Sequence, residues 1–331
     1  MTTLTGKLPK ANYTAAADAF AGWRDDVLTG TPPTLYPIGS GELARIEVGP
    51  GLVNLIGGAP GAGKTAFTMQ AVIDAMRLTP TLKAVVCNIE MPPPVLLDRQ
   101  LARLSGIPLN VIRYRLLTAE HGERIATAMH ALEDVVERLC FVRPPFDLAN
   151  VAATADDFGA GGPGGLILLD YIQRIRPPGF LAKDADKRGG VDACMDYLRQ
   201  FADAGVAVMV VSAVARSKDK HGRSAYGEGL NLASFRESSE LEFGADSAFI
   251  LAPDGGQDDD GVTLKHLKDR YGECRDIALR FDRARQSFTV AESTCTAAKA
   301  DKADKGKLRA ALASLWNRTP AAGGSEGSDD E

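Results

Sequence analysis

Aromatic residues make up only 6% of this sequence, and no run of 18 or more apolar residues occurs in it. The opening stretch, Met1 to Phe20, has no apolar core of the kind a secretion signal carries. The expectation is a cytoplasmic protein with no membrane contact. Cysteine is sparse: Cys87, Cys140, Cys194, Cys274 and Cys295 are odd in number, far apart and without a C-x-x-C pair. That spacing argues against a disulfide framework or zinc knuckle and predicts reduced, mostly buried thiols. The four histidines (His121, His130, His221, His266) show no metal-ligand spacing, so a solvated surface role is expected for them. No internal repeat is present. Neither sign of charge is in large excess, with 38 basic against 43 acidic residues for a net −5. The chain as a whole therefore does not attract nucleic acid, and any such contact needs a local basic patch.

What is there is a 331-residue chain with 45% hydrophobic and 24% charged residues, which excludes a disordered or collagen-like protein. It is long enough for one large α/β domain with flanking segments, or for two small domains. Short β-rich runs at 52–57, 83–90, 139–143, 165–171, 206–214 and 247–253 are separated, up to the fifth, by helical stretches at 65–78, 93–105, 119–137, 147–158 and 189–204. Continuous apolar strands alternating with helices predict a mostly parallel sheet covered on both faces. The runs 262–270 and 276–291 predict a terminal antiparallel hairpin. The Gly-rich run 159–165 lacks a following Lys and Ser/Thr and reads as a turn into the next strand. The chain divides into an N-terminal arm or linker helix at 1–31, a central α/β domain at 32–292 and a charged tail at 293–331 that should be largely disordered. In the arm, Phe20, Trp23, Val27 and Leu28 share one side of a short helix. It either packs on its own domain or docks on a neighbouring subunit.

The chemistry concentrates in three places. Gly58-Ala59-Pro60-Gly61-Ala62-Gly63-Lys64-Thr65 fits G-x-x-x-x-G-K-[ST], follows an apolar strand and, with Ala66, opens a helix. Glycines let backbone N–H groups turn inward around phosphate oxygens, and the helix N-terminus adds partial positive charge. Lys64 would reach the β- and γ-phosphates of ATP, and the Thr65 hydroxyl would ligate Mg²⁺. Leu166 to Asp170 is an apolar strand ending in a carboxylate at the edge that faces the phosphate loop, so Asp170 would also serve Mg²⁺. Glu90 ends a strand just before Met91-Pro92-Pro93-Pro94 and is the candidate general base for the attacking water.

With these motifs in this order, the chain resembles the RecA-like ATPase domain of DnaB-type replicative helicases, a family of phosphate-loop NTPases. The shared features are the phosphate loop Gly58 to Thr65, Glu90-Met91-Pro92, Asp170-Tyr171-Ile172-Gln173, Phe235-Arg236-Glu237-Ser238 followed by Ala245-Asp246, and Lys268-Asp269-Arg270-Tyr271-Gly272. They cover about residues 50–290. The resemblance implies a homo-oligomer, a hexameric ring with ATP at subunit boundaries. Arg270 would be an arginine finger on the neighbour's γ-phosphate, with Lys268 beside it. It further implies single-stranded DNA as partner, 5′–3′ helicase action in DNA replication and a replication partner protein. A guanidinium supplied in trans would make hydrolysis depend on assembly. The chain departs from the family where Ser-Gln-Leu-Asn-Arg is Ser212-Ala213-Val214-Ala215-Arg216, which removes the Gln that would sense γ-phosphate. Residues 1–31 leave no room for the family's N-terminal helical domain, which binds primase, and the acidic tail looks unrelated.

Two loops supply the local basic patches. Residues 174–188 carry Arg174, Arg176, Lys183, Lys187 and Arg188 against Asp184 and Asp186, and residues 216–223 carry Arg216, Lys218, Lys220 and Arg223 against Asp219. In the resembling helicases such loops line the central channel, and Lys and Arg on them suit non-specific contact with a single strand. Two readings stand: a ring-forming ATPase that translocates on single-stranded DNA and unwinds duplex, or a regulatory or recombination-type ATPase that binds DNA or a partner without unwinding. A small-molecule kinase is a weaker third.

Overall fold

The computed structural model describes residues 13–30, 32–178, 187–214, 217–218, 224–225, 231–235, 240–255 and 260–291. Contacts divide the chain into a unit of 34–293 and a second of 1–33 with 294–331. In the latter, helix α1 (Ala16–Thr29) buries no residue, and Phe20 and Trp23 meet at 5.5 Å on its exposed side.

The larger unit is built on a nine-stranded sheet. In chain order its elements are β1 (Val53–Gly58), α2 (Lys64–Leu78), β2 (Lys83–Asn88), α3 (Pro93–Ser105), α4 (Leu109–Arg113), α5 (Gly122–Val136), β3 (Leu139–Phe141), α6 (Leu148–Phe158), β4 (Gly165–Asp170), α7 (Lys187–Asp203) and β5 (Ala207–Val211). The two-residue strands β6 (Ser217–Lys218) and β7 (Ser224–Ala225) pair antiparallel as a separate ladder. Then follow α8 (Glu240–Gly244), β8 (Ser247–Pro253), β9 (Gly261–Asp269), β10 (Ile277–Asp282) and β11 (Ser287–Val290). The sheet order is β11-β10-β9-β8-β1-β5-β4-β2-β3, parallel from β8 through β3 and antiparallel from β9 outward.

Strands β1, β4 and β5 are buried along their whole length, which is why they read as unbroken apolar runs. Successive side chains alternate between two cores: Ala84 and Val86 pack with α2, while Val85 and Cys87 pack with α6 and α7. A third, smaller core joins α3, α4 and α5 around Leu101, Ile107, Ile112 and Leu132. The Gly-rich run is a turn: Gly159 ends α6 in the left-handed region (φ 71°) and β4 begins at Gly165.

Three expectations change. The run 276–291 is not one strand of a hairpin but two, so three antiparallel strands follow β8. Its reversal uses neither Gly nor Pro: the Asp282 side chain accepts the Arg285 N–H at 2.9 Å, and Gln286 takes φ 55°. Helix α4 was not anticipated. His266 is not solvated: its ring stacks on Phe249 at 4.3 Å and only 10% of the side chain is exposed. Burial is the main reason its pKa falls below the usual histidine value, opposed by Asp269 and Asp276. Of the cysteines, Cys87 and Cys194 are buried, Cys140 half-buried and Cys274 exposed, while Cys295 lies outside the described residues. Burial pushes the Cys87 and Cys194 thiols up to about 12, as expected for inert core thiols. Among the described residues, no helix is long and apolar enough to cross a membrane.

Candidate functional site

The carboxyl ends of β1, β4 and β2 converge on one edge of the sheet. The phosphate loop turns from β1 into α2 there, and Gly63 takes φ 89°. A Cβ on Gly63 would sit 2.7 Å from Phe288 and 2.9 Å from Phe281, so the position needs glycine for both conformation and space. Lys64 Nζ donates to the carbonyls of Gly58 (2.8 Å) and Ala59 (3.0 Å). Burial lowers the Lys64 pKa, with Asp170 and Glu90 pulling it back up. Thr65 Oγ1 donates to Asp170 Oδ2 at 2.6 Å. Asp170 is 4% exposed, and burial drives its pKa up, a shift that nearby Glu90 reinforces and that Thr65, Lys64 and Arg99 oppose.

Asn88, the last residue of β2, links the two acidic positions. Its Nδ2 donates to Asp170 Oδ2 at 2.8 Å, and its Oδ1 accepts the backbone N–H groups of Glu90 (3.0 Å) and Met91 (2.8 Å). Glu90 lies just beyond β2, and its side chain lines a cavity of about 460 Å³ with Lys64, Thr65, Asp170 and Arg99. The rim of that cavity comes from the far end of the chain. Arg283, in the β10–β11 turn, donates from Nη1 to the Gly61 carbonyl at 3.0 Å, and its guanidinium lies 5.2 Å from the Phe281 ring centre. Phe281 stacks on Phe288 at 4.2 Å, and the Gln70 amide bonds both the carbonyl and the N–H of Phe288.

Sequence reasoning missed Asn88, Arg99, Arg283 and Gln286. Asn88 had a readable signal, a lone amide closing a strand whose preceding residues, Ala84 to Cys87, are apolar. Arg99 is one basic residue among several on its helix, and Arg283 and Gln286 reach the cavity only through the sheet topology. At the end of β5, Ala213 lines the cavity, and Gln173 holds that end by donating to Ser212 Oγ (2.8 Å) and accepting the Ala213 N–H (3.2 Å).

Lys268 and Arg270 are not brought to this edge. Asp269 pairs with Ser247, and Ser247 with Asn54, so both cations sit at the amino end of β1. Gly58 is the length of that strand away, roughly 17 Å. Lys268 Nζ donates to the carbonyls of Ala245 (2.7 Å) and Phe243 (3.2 Å), and Arg270 Nη2 to Phe243 (3.1 Å). Of the expected strand-binding residues, Lys183, Arg216, Lys220 and Arg223 lie outside the described residues. The backbones of Lys187 and Arg188 open α7, and that of Lys218 lies in β6.

The family model of the DnaB-like helicase C-terminal domain matches residues 48–290. The replicative DNA helicase DnaB of Treponema pallidum (strain Nichols) is 25% identical over 235 residues, 71% of this chain and 50% of that protein. The chain thus spans about half the length of that curated relative. Two solved structures share the fold at 19% identity, each covering 85% of this chain. One, described as an ATPase domain, has a TM-score of 0.72 and is covered in full. The other, a DnaB-like replicative helicase whose structure was described with its interactions with primase, has a TM-score of 0.71 and is 68% covered. A mostly parallel sheet carrying the phosphate loop, with the family model spanning all nine of its strands, leads to one assignment: this chain belongs to the DnaB-like helicase C-terminal domain family.

Proposed function

We propose that this chain is an ATP hydrolase that assembles into a ring of identical copies, grips single-stranded DNA and couples hydrolysis to translocation and duplex unwinding in replication. One observation carries the reading. The groups suited to binding and attacking a triphosphate are gathered at one end of the sheet, while the two cations suited to its transition state sit at the other end. A single copy cannot apply both to one nucleotide, whereas two adjoining copies can.

Within a copy, backbone N–H groups of the 58–66 loop, apart from Pro60, which has none, and Ala62, whose N–H bonds the Ala59 carbonyl, hold the phosphates together with the Lys64 ammonium. The Thr65 hydroxyl and Asp170 carboxylate form an oxygen donor pair that fits a hard cation, and the burial of Asp170 leaves a carboxylate that gains from a nearby positive charge. Thr65 and Asp170 are therefore the residues that would hold Mg²⁺, which when bound neutralises charge on the β- and γ-phosphates. Glu90 takes a proton from the attacking water, Arg99 faces the same cavity, and Arg270 of a neighbouring copy, with Lys268 beside it, stabilises the charge that develops on the γ-phosphoryl group. The basic residues Lys183, Lys187, Arg188, Arg216, Lys218, Lys220 and Arg223 contact the strand backbone. Polarity is 5′–3′ and a replication protein is a partner, as the resemblance implies.

A second reading, an ATPase that binds DNA or a partner without unwinding, is favoured by Ala213, which stands where the family's glutamine would face the cavity. The test is ATP hydrolysis across a dilution series with and without single-stranded DNA, followed by a fork-unwinding assay. The proposal expects a rate per copy that falls on dilution, rises with DNA and accompanies unwinding. DNA-stimulated hydrolysis without unwinding selects the second reading, and full-rate hydrolysis by a monomer sinks both.

A further inference from the structure

We propose that Asp246 is a positioning residue for Arg270, a buried anionic seat that fixes the guanidinium so that it can act on a neighbouring copy's nucleotide. This rests on the reading of Arg270 as the cation supplied in trans. The Asp246 side chain is 2% exposed. Its Oδ2 accepts the Val53 N–H at 2.8 Å and Arg199 Nη1 at 2.6 Å, and its Oδ1 pairs with Arg270 Nη1 at 2.9 Å. Arg270 is tied to the same segment twice more, by its own N–H to the Asp246 carbonyl (2.9 Å) and by Nη2 to the Phe243 carbonyl (3.1 Å).

The side chain nevertheless remains 41% exposed. A guanidinium has five N–H donors, and these contacts engage only part of them, leaving the outer side for a phosphate oxygen. A long side chain loses rotamer freedom when it grips a ligand, and a seat that orders it beforehand removes much of that cost. A buried carboxylate between two guanidinium groups is a poor source of net stability and a good source of geometry. Val53 begins β1, the strand that runs to the phosphate loop, and Arg199 lies on α7, so the seat is anchored on two core elements.

The experiment uses the full chain and compares Asp246→Asn, Arg270→Ala and Lys64→Ala. Asp246→Asn keeps the shape and an acceptor for the Val53 N–H. It should lower kcat for ATP about 10- to 100-fold, with KM for ATP and the assembly state unchanged. Because the defect lies in what a copy gives its neighbour, mixing Asp246→Asn with Lys64→Ala should restore hydrolysis, which a general folding defect would not allow. If Arg270→Ala is inactive while Asp246→Asn keeps the normal kcat, the seat is refuted and the trans reading survives. If Arg270→Ala keeps full activity, the trans reading itself fails. Should Asp246→Asn not fold, methylguanidinium added to Arg270→Ala gives the second measurement: restored hydrolysis supports the seat, and no restoration overturns it.

Discussion

The two ends of the central strands both hold opposed charges, and they satisfy them differently. At the carboxyl end, Lys64 and Arg99 share a cavity with Asp170 and Glu90, and burial works against the charge on both Lys64 and Asp170. At the amino end, Asp246 is matched by Arg199 and Arg270, and Lys268 is held by carbonyls. The first end stores unmet electrostatic demand, which a triphosphate and its cation would satisfy. The second pairs its opposed charges within one copy and presents a partly exposed, oriented cation outward. A parallel sheet makes this division natural, because loops diverge at its carboxyl end and open a crevice there.

The contrast is broken most directly by disabling each end in turn. Lys64→Ala should reduce hydrolysis more than about 10³-fold and weaken nucleotide binding, read by titration with a fluorescent ATP analogue. Arg270→Ala should cost about 10³-fold in kcat while leaving that titration unchanged. A mixture of the two inactive proteins should regain activity, since some boundaries then join one intact half from each. No recovery at any ratio would mean that the two ends do not meet across copies. A subtler change sharpens the picture at the carboxyl end alone. Asn88→Ala frees the Glu90 turn and removes one donor from Asp170, and should lower kcat about tenfold with little change in KM for ATP. An unaltered kcat would show that the brace is only structural. The smallest effect belongs to the basic segment at 216–223. Lys218→Ala with Lys220→Ala should make the log–log salt dependence of single-strand binding shallower by about 1.4, and an unchanged slope would remove that loop from the interface.

Much of the carboxyl end was legible because its chemistry is local. The phosphate loop is a contiguous motif, and Asp170 and Glu90 follow apolar runs whose ends a parallel sheet must align. Asn88 closes β2 two residues before Glu90 and went unnoticed because an amide at a strand end has no motif of its own. Arg283 and Gln286 were invisible for a different reason: they reach the cavity only because β10 and β11 fold back over Gly63, through a turn without glycine or proline. The amino end was half read. Arg270 and Lys268 were singled out by resemblance, but the carboxylate that holds Arg270 became clear only once the register of β8 against β9 set Asp246 beside it.

The fastening of Gln70 to Phe288 joins positions 218 residues apart. The helix that follows the phosphate loop is thus braced by β11, a strand that a ribosome would deliver long after that helix. A nascent chain that has emerged only as far as β8 already owns the loop and its lysine, yet it lacks the wall against which they rest. The aromatic wall beside Gly63 is therefore supplied only once residues 281–288 have been made.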